Sequence, residues 1–128
     1  MHRVVLDTNV IVSALWSPHG NPAQILSMLP AGAVTLYCDY EIMREYKAVL
    51  TRAKFKFSGE SSDAVLKMIK RRGYFVTAPP SNVPFADESD RKFYDVARFC
   101  GATLVTGNAK HYPDEAFILS PAGFLARI

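Results

Sequence analysis

The chain opens on the apolar run Val4-Val5-Leu6, whose lack of alternation marks a strand buried on both faces. The run breaks at Asp7-Thr8-Asn9, which reads as a polar loop, and apolar character resumes from Ile11 to Trp16. Asn21 before Pro22 has the form of an N-cap with proline at the first helical position, opening a short helix that stops near Pro30 and Gly32. Val34 to Cys38 predicts a second strand, and Asp39 caps a helix reaching Arg52. In that helix Ile42, Glu45, Tyr46, Val49 and Leu50 follow the i, i+3, i+4, i+7, i+8 spacing of a buried stripe. The polar, Lys-rich stretch from Arg52 to Gly59 predicts an exposed loop. A helix follows from about Ser62 to Arg72, with Ala64, Val65, Met68 and Ile69 inward and Gly73 as its C-cap, and then a short strand from Tyr74 to Thr77.

Prolines 79, 80 and 84 exclude regular structure between Ala78 and Pro84, so this segment predicts a surface loop that delivers the next helix, about Asp90 to Phe99. Strand Thr103 to Thr106, the turn Gly107-Asn108, strand Phe117 to Leu119 and a closing helix begun by Ser120-Pro121 complete the chain. Strands alternating with helices predict an α/β fold, a mostly parallel sheet of four to five strands covered on both faces.

At 128 residues and 49% hydrophobic content, residues 1–128 are expected to form one domain with a full core. Lys and Arg number 15 against 12 Asp and Glu, a net charge of +3. That leans toward an anionic partner yet falls short of a dedicated nucleic-acid binder. Cys38 and Cys100 lack metal-ligand spacing and lie in predicted core elements, so reduced thiols in a cytoplasmic protein are expected. No apolar stretch approaches the roughly 18 residues of a membrane span, so neither membrane insertion nor secretion is expected.

Glu45 changes this picture, because a carboxylate on a buried stripe costs several kcal/mol unless a cation or hydrogen bonds meet it. In a parallel sheet, chemistry collects outside the carboxyl ends of the strands. Asp7 follows the first strand at that end, and Asn108 follows Thr103 to Thr106 at the same end. The start of the Asp90 helix approaches this edge, and Glu45 reaches it from the adjoining helix. Three convergent acids suit a hard divalent cation, Mg2+ or Mn2+, which polarises a phosphoryl oxygen and supplies a hydroxide for phosphodiester hydrolysis. Each acid also has an ordinary use. Asp7 could bond local amides, Glu45 could pair with a basic side chain, and Asp90 could serve a helix dipole.

Asp95 lies about 140° from Asp90 around its helix and is expected in solvent. Asp87 is read as a cap rather than an outer ligand. His111 could touch substrate or water, and Lys92, Lys110 and Arg91 are the basic residues nearest the crevice, placed for phosphate contacts. Trp16 and Phe93 are expected in the core rather than as a base-stacking platform.

Asp7-Thr8-Asn9-Val10 after an apolar strand, Glu45 within the run from Glu41 to Leu50, Asp90-Arg91-Lys92-Phe93-Tyr94-Asp95-Val96-Ala97, and Val105-Thr106-Gly107-Asn108 resemble the ordered motifs of PIN domains. The resemblance covers nearly the whole chain and is closest to small prokaryotic toxins of toxin-antitoxin modules, of which the VapC type is best known. It implies a three-layer αβα sandwich, Mg2+- or Mn2+-dependent ribonuclease activity on RNA, a homodimer, and a small antitoxin protein that blocks the site. Carried over by position, Asp7, Glu45 and Asp90 match the three metal-binding acids, with Thr8 or Asn9 orienting the first and Thr106 beside the metal. Asn108 stands where many members have a fourth aspartate, which puts a second metal in doubt.

Two other readings remain open on the sequence. Asp7-Thr8-Asn9-Val10 after a strand also resembles the first motif of haloacid-dehalogenase phosphatases, with Asp7 as nucleophile. That family has a second aspartate where this chain has Asn9. A non-catalytic PIN scaffold that binds RNA or protein rests on Asn108 alone.

Overall fold

The computed structural model describes residues 2–53 and 59–128. Five strands form one parallel sheet in the order β3-β2-β1-β4-β5: β1 (His2–Leu6), β2 (Val34–Cys38), β3 (Tyr74–Phe75), β4 (Thr103–Val105) and β5 (Ile118–Leu119). β1 is central, and Val4, Val5 and Leu6 are wholly buried, as an unbroken apolar run requires. The chain adds β2 and β3 on one side of β1, then β4 and β5 on the other. The crevice between β1 and β4 is thus the point where the winding reverses, the place where parallel sheets hold ligands.

Helices α1 (Thr8–Trp16), α2 (Asn21–Ser27), α3 (Tyr40–Ala53), α4 (Gly59–Arg72), α5 (Arg91–Cys100) and α6 (Pro121–Arg127) flank the sheet. The α3 stripe is placed as its spacing predicts: Ile42, Tyr46 and Leu50 are fully buried and Glu45 partly so. Asp39 caps this helix by accepting the Ile42 N–H at 2.7 Å, and Ser120 caps α6 by accepting the Gly123 N–H at 3.0 Å. α5 packs on β1, β2 and β4, has every residue from Phe93 to Ala97 buried, and ends on Gly101, whose φ of 62° is the left-handed conformation glycine adopts without cost. Gly73 is required for a different reason. A Cβ there would stand 2.6 Å from the carbonyl oxygen of Ile69, so no side chain fits. Burial, then the charge of Asp39, pushes the Cys38 thiol up to about 12, which keeps it protonated.

Several local expectations are corrected. Asp7-Thr8-Asn9 is not a three-residue loop: only Asp7 separates β1 from α1, which begins at Thr8 and buries Thr8, Val10, Ile11 and Ala14. α2 takes Gly20, not Asn21, as its cap and ends at Ser27. Ala64 is exposed and Met68 only half-buried, while Val65 and Ile69 are buried as expected and Ser62 is buried with them. Trp16, at the end of α1, is 59% exposed rather than in the core, whereas Phe93 is buried as expected. Of the loop expected between Arg52 and Gly59, residues 54–58 lie outside the described residues. Among the described residues no helix is long and apolar enough to cross a membrane.

Candidate active site

Asp7 occupies the single residue between β1 and α1. Its N–H bonds the Val105 carbonyl at 3.0 Å, which fixes it to β4 across the crevice. It holds the N-cap position of α1, yet its carboxylate makes no cap hydrogen bond and is free for other use. Buried to 7% exposure, its Oδ2 accepts the Thr106 hydroxyl at 2.8 Å and the Tyr112 hydroxyl at 2.9 Å. Two donors from one loop therefore set its orientation. Burial, then the charge of Asp7, pushes the Tyr112 hydroxyl far above its ordinary range, so it stays a donor. The loop itself is stitched in place: the Asn108 N–H donates to Thr106 Oγ1 at 3.0 Å, and the Gly107 N–H donates to Asn9 Oδ1 at 3.1 Å.

Glu45 arrives on α3, which is tied to the end of β1 by the buried hydroxyl of Tyr46 donating to the Leu6 carbonyl at 2.5 Å. Its Oε2 accepts the Thr8 hydroxyl, and its Oε1 meets the Lys92 ammonium at 2.8 Å. Lys92 also donates to the Ser89 carbonyl and lies 4.9 Å from the Phe93 ring centroid, with only 10% of its side chain exposed. Two expectations are corrected here. Thr8 serves Glu45 rather than Asp7, and Lys92 is committed to Glu45 rather than open to substrate phosphates. The cation that a buried carboxylate demands is supplied by the protein itself.

Asp90 ends a 3-10 turn (Glu88–Asp90) that leads into α5. Asp87 begins that turn as the expected cap, accepting the Ser89 N–H at 2.9 Å and its hydroxyl at 2.7 Å. Burial, then the negative charges of Asp7 and Asp87, raise the Asp90 carboxyl above the usual carboxylate range, with His111 and Lys92 opposing them. Asp7 and Asp90 are therefore close enough to repel. Among the described residues, the base in ion-pair contact with Asp90 is His111, whose Nδ1 lies 3.9 Å from Oδ2 at the exposed rim. Lys110 is exposed beside it.

Asp95 is the largest departure from expectation. It is 7% exposed, not solvated, and its Oδ2 accepts the Ser81 N–H at 3.1 Å. Arg91 likewise supports the proline loop, donating to the carbonyl and hydroxyl of Ser81 while pairing with Glu88 at 2.6 Å. The residue that sequence reasoning missed is Tyr112. Its place after Lys110-His111 in the loop following Asn108 was the available signal.

Whether these residues suit a divalent cation can be judged from their chemistry. Among the described residues, no three His, Cys, Asp or Glu side chains stand together as a ready cage. Asp7 and Asp90 nonetheless supply the oxygen donors a hard cation takes, and their mutual repulsion is the charge it would neutralise. Glu45 is held by Thr8 and Lys92.

Residues 3–110 match the PIN domain family. An uncharacterized protein of Methanocaldococcus jannaschii is 29% identical over 109 residues, which cover 83% of this chain and 70% of that protein. Among solved structures, VapBC2 from Rickettsia felis, bound to a DNA fragment from their promoter, contains a chain that superposes with a TM-score of 0.59 at 21% identity. The superposition covers 92% of this chain and 97% of that one, a likeness of fold. With 108 consecutive residues matched, spanning all of the motifs around Asp7, Glu45, Asp90 and Asn108, the chain belongs to the PIN domain family.

Proposed function

We propose that the protein is a divalent-metal-dependent endoribonuclease, with Asp7, Glu45 and Asp90 as its acidic site. The observation that carries this reading is the convergence of Asp7 and Asp90 on one loop at the sheet's winding reversal: Tyr112 bonds Asp7 at 2.9 Å, and its neighbour His111 stands 3.9 Å from Asp90. Asp7 and Asp90 would hold Mg2+ or Mn2+, with Glu45 adding charge, and the ion when bound would polarise a phosphoryl oxygen and lower the pKa of a water. Thr106 and Tyr112 keep the Asp7 carboxylate aimed into the crevice. Asn9 and Asn108 hold the loop that carries those hydroxyls, and the uncharged Asn108 side chain limits the site to three carboxylates, enough for one firmly held cation. His111 and Lys110, at the rim, are placed to meet substrate phosphates.

The phosphatase reading is weakened by Asn9. Its amide oxygen is occupied by the Gly107 N–H, and it cannot supply the proton that a second aspartate would. The fold it shares with a chain of the Rickettsia felis complex supports a toxin role, with a small antitoxin partner, a homodimer and a cytoplasmic location as parts of the same proposal.

Millimolar Mn2+ or Mg2+ should raise the melting temperature, whereas a monovalent salt of equal ionic strength should not. A ligand at 100 times its dissociation constant adds about 2.7 kcal/mol to a folded state that alone binds it. Differential scanning fluorimetry of wild type and Asp7→Asn checks this, and a melting temperature indifferent to both metals would remove the acidic site from the account.

A further inference from the structure

Tyr40, Arg44 and Lys47 are spaced i, i+4, i+7 on α3, which brings them onto one face of the helix, opposite its buried stripe. All three are exposed, Tyr40 at 72%. An exposed tyrosine is usually free to turn, but this ring is stacked on Phe75, with centroids 4.9 Å apart and planes 30° from parallel. One face is thereby fixed and the other left open.

The location matters as much as the exposure. α3 begins at Tyr40, two residues after β2 ends at Cys38, and β2 lies parallel beside β1, which ends at Leu6 just before Asp7. Tyr40 thus stands on the same carboxyl edge as Asp7. Glu45 follows on the same helix after a rise of about 7.5 Å and a turn of about 140°. Arg44 and Lys47 form no salt bridge among the described residues, so their charge is available. The acid beside Tyr40, Glu41, is turned about 100° away and lines a cavity with Asp39, Arg91 and Lys92 instead.

We propose that this stripe is a binding site for single-stranded RNA, in which Tyr40 stacks on a base and Arg44 and Lys47 take the adjoining phosphates. The inference rests on the nuclease reading above. A base offers a flat π-face that a pinned ring matches without reading sequence, and the two cations supply the backbone contacts that such sites combine with stacking. The bases of a duplex are already stacked, so the site selects single strands.

The test is fluorescence anisotropy of a short labelled RNA with the metal-free protein in EDTA, where no cleavage confuses binding. Tyr40→Ala is expected to weaken single-strand binding about tenfold, and Tyr40→Phe, which keeps the ring and its stack on Phe75, to remain within about twofold of wild type. Arg44→Gln with Lys47→Gln should flatten the salt dependence by about 1.4 in the slope of log affinity against log salt. Duplex RNA of the same sequence should bind Tyr40→Ala as well as wild type. Unchanged single-strand affinity in Tyr40→Ala and in the double variant, or equal losses for duplex and single strand, overturns the site. If wild type cleaves RNA while Tyr40→Ala keeps its KM, the stripe alone is wrong. Wild type that neither binds nor cleaves RNA overturns the nuclease reading and the stripe together.

Discussion

Replacing Lys92 with methionine is expected to destabilise the metal-free protein by about 2 to 3 kcal/mol in urea unfolding, because it strands the Glu45 carboxylate without a cation. The loss falls below the roughly 3–5 kcal/mol of a fully buried pair because Glu45 keeps 28% of its side chain in contact with solvent. Methionine retains the packing over Phe93, so the charge is the main thing removed. The diagnostic part is what a metal then does. In wild type a divalent ion competes with Lys92 for the charge of Glu45, whereas in Lys92→Met it meets an unpaired carboxylate. Mn2+ should therefore recover more stability in the variant than it adds to wild type. Equal stabilisation of both would mean that Glu45 lies outside the metal's reach and serves only to anchor α5.

Asp90→Asn is expected to reduce cleavage about a thousandfold, on the order of 4 kcal/mol of transition-state stabilisation, while making the metal-free protein more stable. The sign follows from the raised Asp90 carboxyl. The folded state binds that proton more tightly than the unfolded chain does, so the ionised form is a cost at neutral pH. Stability contributed at Asp90 consequently grows as pH falls through its raised value toward the ordinary carboxylate range. Asparagine carries no charge and escapes both the cost of burying one and the repulsion of Asp7 and Asp87. The urea midpoint of Asp90→Asn in EDTA should exceed that of wild type at neutral pH, and the gap should shrink toward about pH 4. A variant that is inactive and less stable at neutral pH would mark Asp90 as structural. The expected combination is that of a site where function holds like charges together against stability.

The sequence made legible what depends on periodicity and caps. β1 was readable from its unbroken apolar run, the inward phase of Glu45 from the α3 stripe, and the starts of α3 and α6 from Asp39 and Ser120. What escaped depends on contacts between distant residues or on irregular backbone. α1 was obscured because three polar residues at a helix start look like a loop when their partners lie across a crevice. The burial of Asp95 came from Ser81, in a proline loop with no period to read, and from a helix buried around five consecutive residues. Tyr112 reaches Asp7 across 105 residues, and no local pattern announces such a bond. The ion pair of Lys92 with Glu45 likewise depends on α3 meeting α5, a contact no local pattern announces.

The most direct test of the acidic site as a metal-dependent ribonuclease is the single-turnover rate of single-stranded RNA cleavage measured across a Mn2+ titration, with Asp7→Asn prepared in parallel to report contaminating nuclease. The account predicts no cleavage in EDTA, a rate for wild type that rises with Mn2+ to saturation, and no metal-dependent cleavage by Asp7→Asn at any concentration. A wild-type rate that matches Asp7→Asn throughout the titration, or that is unchanged by EDTA, would contradict it.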